Sequence, residues 1–120
     1  MPRGSDYRGP AEALDLYAAV VDDSTGDAAL KGAKNPYTAR NAHMFSFLDA
    51  DGTMALRLPD DLRDEFLARY ESGPVVQYGS VMHGYVSVPA DLLRKTDELR
   101  DWFDESYAWI GTLEPKPTGM

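Results

Sequence analysis

Lys31, Lys34, Arg40 and His43 fall in a span, Ala28 to Leu48, that holds no Asp or Glu. Asn35, Tyr37 and Asn41 are interleaved with them. Lysine, arginine and amide side chains are the usual partners of phosphate and carboxylate groups. The stretch is therefore a candidate small-anion site: Lys31, Lys34, Asn35, Tyr37, Arg40 and His43, with His83 brought in if the two histidine-bearing segments end side by side. The competing reading is a solvated loop whose cations offset the surrounding acids. The setting sharpens the choice, because the whole chain has 20 Asp+Glu against 12 Lys+Arg, a formal net charge of −8.

Other constellations carry less. His43 and His83 are the two histidines, and no third ligand stands at a fixed spacing from them, so no metal site is expected. As general acid or base, either would need a partner that the sequence does not reveal. Asp49-Ala-Asp51-Gly52 resembles the start of a calcium loop. The glycine comes two residues early, however, and Asp60 stands where such a loop needs Glu. Gly79-Ser80 lacks the flanking pattern of a nucleophile elbow. No catalytic residue set and no cofactor are expected, although an enzyme using His43 or His83 stays open as a third reading. Trp102 and Trp109, seven apart in an aromatic-rich stretch, are candidates for a protein interface.

Length and composition bound the rest. At 120 residues and 43% hydrophobic, the chain can bury one core, expected over residues 9–113 with flexible ends at 1–8 and 114–120. The acidic balance argues against a broad nucleic-acid face. Without cysteine there is no disulfide or thiol chemistry, which suits a reducing, cytoplasmic setting. No apolar run approaches the roughly 20 residues of a membrane span.

The elements that must position these residues are legible in outline. Pro10 and the spacing of Leu14, Tyr17, Ala18 and Val21 predict a helix over about 10–22. His43–Leu48 and Thr53–Leu58, joined by Asp49-Ala-Asp-Gly52, predict a hairpin. Phe45 and Phe47 are expected on one face, and Met54, Leu56 and Leu58 on one face of the partner strand. Asp60 or Asp61 is expected to cap a helix to about Tyr70 with Leu62, Phe66, Leu67 and Tyr70 inward. Val75–Tyr78 and Tyr85–Val88 read as strands around a loop. A turn of helix follows at Ala90–Arg94. Thr96 then caps a last helix whose inner stripe is Leu99, Phe103, Ser106, Ile110 and Leu113. The order α-β-β-α-β-β-α predicts an α+β two-layer sandwich, an antiparallel sheet built from two hairpins with helices packed on it.

From about Lys31 onward the chain resembles the TfoX/Sxy N-terminal domain family, named for a bacterial competence regulator. The residues that carry the resemblance are Met44-Phe45, Met54-Ala-Leu-Arg-Leu-Pro59, Met82-His-Gly-Tyr-Val-Ser-Val-Pro89 and Leu99 to Leu113 leading into Glu-Pro-Lys-Pro117. The family usually continues Met-Phe with two glycines, where Ser46 and Phe47 stand here. The resemblance implies the same α+β fold and a non-enzymatic regulatory or protein-interaction role. A homodimer, formed through the sheet edge or the Trp102/Trp109 face, is the expected assembly.

Overall fold

The computed structural model describes residues 7–24, 28–32, 35–70, 72–73, 75–77, 79–82 and 84–113. Lys34 and His83, and the terminal stretches 1–6 and 114–120, lie outside them. Helix α1 spans Ala11–Asp23, β1 Tyr37–Arg40, β2 His43–Leu48, β3 Met54–Arg57 and α2 Asp60–Arg69. Then come β4 Val76–Gln77, β5 Ser80–Val81, β6 Tyr85–Val88, α3 Ala90–Arg94 and α4 Thr96–Ile110. Strands β1, β2, β3 and β6 form one antiparallel sheet in that order, and β4 and β5 form a separate pair. The expected α+β architecture is observed.

Residue chemistry explains the boundaries. Pro10, Pro59 and Pro89 each stand in extended backbone directly before a helix, where a missing N–H costs nothing. Thr96 begins α4 as its first helical residue, and no side chain caps that end. Asp49 organises the β2–β3 turn: its Oδ1 accepts the N–H groups of Asp51 and Thr53, both at 2.9 Å. Gly52, at φ 85°, closes that turn against Pro10 and Ala13, where a Cβ would lie 2.9 Å from Pro10 Cγ. Tyr7 packs on the core and donates its hydroxyl to the Asp49 carbonyl at 2.6 Å.

The main core lies between the sheet and the helices. Tyr17, Val20 and Val21 of α1, Phe45 and Leu48 of β2, Met54 and Leu56 of β3, Phe66 of α2, and Leu99, Phe103 and Ile110 of α4 are all buried there. Phe66 meets Trp102 edge-on at 5.2 Å, a geometry that adds to area burial. On α2 only Phe66 is fully buried. Leu67, expected on the inner stripe, is 43% exposed, because the helix turns that side to solvent.

Two differences from the sequence reading have a clear physical cause. Phe45 and Phe47 do not share a face. Thr38 pairs with Ser46 and Ala39 with Met44, so Phe45 is an extra residue, a β-bulge. The bulge slips the alternation by one. Phe45, Ser46 and Leu48 point to the helices, while Met44 and Phe47 belong to a second cluster with Ala55 and Val75 on the opposite face. Ser46 is thereby buried against α1, within hydrogen-bond distance of the Tyr17 hydroxyl at 2.6 Å and of Thr38 Oγ1 at 2.5 Å. Burial pushes the Tyr17 hydroxyl above its ordinary pKa, partly offset by the Ser46 and Thr38 hydroxyls.

The second difference concerns the second hairpin. Val76 and Gln77 do not pair with Tyr85–Val88, and Tyr78 lies outside the described residues. Strand β6 joins β3, and the span before it folds into the small β4–β5 arm. Val86 and Val88 drive that pairing, since both are buried in the helix-side core opposite Leu56 and Met54.

Candidate functional site

The basic stretch is folded into the domain rather than left as a loop. Lys31 exchanges both backbone hydrogen bonds with Tyr37, at 2.8 and 3.0 Å, and keeps its side chain exposed. Asn35 is exposed, whereas Tyr37 packs on the outer cluster. Strand β1 then runs into β2 through Asn41-Ala42, with Arg40 directly opposite His43. Asn41 and Ala42 have φ of 55° and 64°. Two central residues at positive φ mark the turn type whose twist matches a hairpin.

That turn meets the C-terminus of α4. A helix end exposes carbonyls without intrahelical partners and a partial negative charge, and α4 has no basic residue in its last turn. Arg40 supplies the cation from another element. Its Nη1 donates to the Tyr107 carbonyl at 2.8 Å, and its Cζ lies 4.1 Å from the Tyr107 ring centroid. Asn41 Nδ2 donates to the carbonyls of Ile110 at 3.5 Å and Leu113 at 3.3 Å. Gly111 makes the approach feasible, because a Cβ there would lie 2.4 Å from Arg40 Cζ. Arg40 thus fastens the first hairpin to the last helix. The structure brings Arg40 and His43 together and turns Arg40 inward. Lys34 and His83 lie outside the described residues.

The interface candidates separate in the same way. Trp102 is closed within the protomer, 7% exposed, with Nε1 donating to the Tyr70 hydroxyl at 3.1 Å. The Tyr70 hydroxyl donates in turn to Glu98. Burial, then that carboxylate, pushes the Tyr70 pKa up. Trp109 is half-buried, with Arg57 Cζ 5.3 Å from its ring centroid.

Sequence reasoning missed the β4–β5 arm. Val75 and Met82 point from it toward the sheet and cover Phe47 and Ala55, and Met82 N–H donates to the Val75 carbonyl at 2.8 Å. Val76 and Val81, paired across the arm, point outward and are each 52% exposed. A hollow of about 180 Å³ opens beside it, lined by Phe47, Asp49, Thr53, Ala55, Val75, Val76 and Ser87. The available signal was charge: from Ser72 to Ala90 the chain has no Asp, Glu, Lys or Arg, in a protein that is 27% charged.

Among the described residues no group of three or more His, Cys, Asp or Glu side chains sits close enough to hold a metal ion. No described helix is long and apolar enough to cross a membrane.

The architecture defines a small α+β domain: a four-stranded antiparallel sheet, helices on one face, and a short arm on the other. The family model of the TfoX N-terminal domain matches residues 38–110, more than half of the chain, and the chain belongs to that family. The match begins in β1 and ends with α4, the two elements that Arg40 ties together. Comparison with curated proteins and with solved structures returns no match.

Proposed function

We propose that this domain is a non-enzymatic regulatory module of the cytoplasm that works by protein contact, and that its first partner is a second copy of itself. The observation that carries this reading is the arm. Val76 and Val81 form an outward apolar pair on a two-stranded ribbon, and an isolated ribbon of that size is marginal in water. Two copies with a net charge of −8 each repel over most of their surfaces. The charge-free span is where they approach without that cost, and depletion of charge at the centre is the compositional mark of interfaces. Pairing arm to arm extends the ribbon and covers the valines together.

Light scattering on the parent at tens of micromolar protein is expected to give a dimer mass. The double variant Val76→Lys, Val81→Lys is expected to give a monomer mass with an unchanged far-UV circular dichroism spectrum. A monomeric parent, or a double variant that stays dimeric, overturns the reading.

A further inference from the structure

We propose that Arg57, backed by Trp109 and flanked by Arg63, forms a binding site for the phosphate group of a small molecule. Arg57 ends β3, and its main chain is fixed on two sides. It pairs with Tyr85 of β6, and its carbonyl accepts the Ser106 hydroxyl of α4 at 2.5 Å. Its guanidinium Cζ lies 5.3 Å from the Trp109 ring centroid, within cation–π range. Its edge is unspent: among the described residues its N–H donors reach no hydrogen-bond acceptor, and no carboxylate pairs with it. A guanidinium beside an aromatic ring whose donors are not spent within the chain can offer two parallel hydrogen bonds to one oxyanion.

A second cation converges on the same place. At Gly84, φ 88°, the direction a side chain would take ends 3.7 Å from Arg57 Nε and 4.0 Å from Arg63 Nη1. The two guanidinium groups therefore flank Gly84 with no side chain between them. Arg63 is held by its own hydrogen bonds, Nη1 to the Leu58 carbonyl at 3.2 Å and Nη2 to Asp60 at 2.6 Å, and Asp60 is largely exposed. Two guanidinium groups against the single Asp60 carboxylate leave a net positive charge there, which suits a doubly charged phosphate better than a singly charged carboxylate. The inference rests on the Arg57 end of the sheet and is independent of the arm, so either can fail alone.

The test is a titration of the full chain with inorganic phosphate, and separately acetate, at constant ionic strength and slightly alkaline pH. It follows the Arg57 Nε–H and Trp109 indole N–H resonances by NMR. Both are expected to shift saturably with phosphate and less with acetate. Arg57→Gln should weaken binding by about tenfold or more, the scale of one charge-assisted hydrogen-bond pair. Arg63→Gln should weaken it less, and both variants should melt close to the parent. A linear, unsaturated drift, or Arg57→Gln binding as well as the parent, overturns the site. Equal response to acetate overturns the preference for a dianion.

Discussion

Between Ala28 and Leu48, and again between Ser72 and Ala90, the chain carries no Asp or Glu, yet the two spans end in opposite situations. In the first, Arg40 and Asn41 leave the hairpin tip and take up carbonyls at the end of α4. In the second, Val75 and Met82 anchor an arm while Val76 and Val81 face water. Of the cationic span, Arg40 and Asn41 serve in the fold as a fastening. The neutral span looks like filler and holds the exposed apolar pair. What separates them is whether the side chains find partners within the chain: a helix end needs cations and donors, whereas an apolar pair on a ribbon finds cover only from another surface.

That comparison can be broken in stages. The largest effect is expected at Arg40. Arg40→Ala removes a charge-assisted hydrogen bond, a cation–π contact and the cation at the α4 terminus, and should cost about 2 kcal/mol in denaturant unfolding. A loss under about 0.5 kcal/mol would make Arg40 an ordinary surface residue. Next comes Gly111→Ala, whose methyl displaces the Arg40 guanidinium and should cost about 1–2 kcal/mol by losing the same bond. The two changes share one interaction, so the double variant should lose clearly less than the sum. Additive losses would show that Gly111 matters for another reason.

A smaller effect of opposite sign is expected at the turn itself. Ala42 has φ 64°, a conformation that costs an L-residue about 1 kcal/mol or more. Ala42→Gly should raise stability by about 1 kcal/mol in denaturant unfolding, and a loss of stability would show that the added freedom of the unfolded chain outweighs the relieved strain. The smallest stability change belongs to the arm. Val76→Lys with Val81→Lys alters side chains that already face solvent, and unfolding measured under dilute, monomeric conditions should move by less than about 0.5 kcal/mol. A large loss there would mean that the valines serve the protomer's own core.

The sequence is uneven as a guide to this fold, for reasons that particular residues make plain. The β2–β3 hairpin was legible because Met54, Leu56 and Leu58 alternate and Asp49-Ala-Asp-Gly52 has turn chemistry. Strand β1 was not, because its turn is Asn41-Ala42 rather than an Asn-Gly pair, so the positive-φ signal was missing. The bulge at Phe45 leaves no mark in residue types, and it alone sends Phe47 to the other face. The arm hides because two-residue strands are too short for periodicity to register. As for the site, residue type identified Arg40 as a cation but not its destination. Arg57 carries no signal in the sequence, since its nearness to Trp109 exists only in the fold.

The central claim, that the neutral span and not the cationic one meets a partner copy, has a direct measurement. Methyl and amide NMR spectra recorded across a dilution series of the parent report contact residue by residue. The expected result is concentration-dependent shifts confined to the arm, largest at Val76 and Val81, with Tyr37 to His43 unmoved. Spectra that do not change on dilution, or changes centred on Tyr37 to His43 instead, would contradict it.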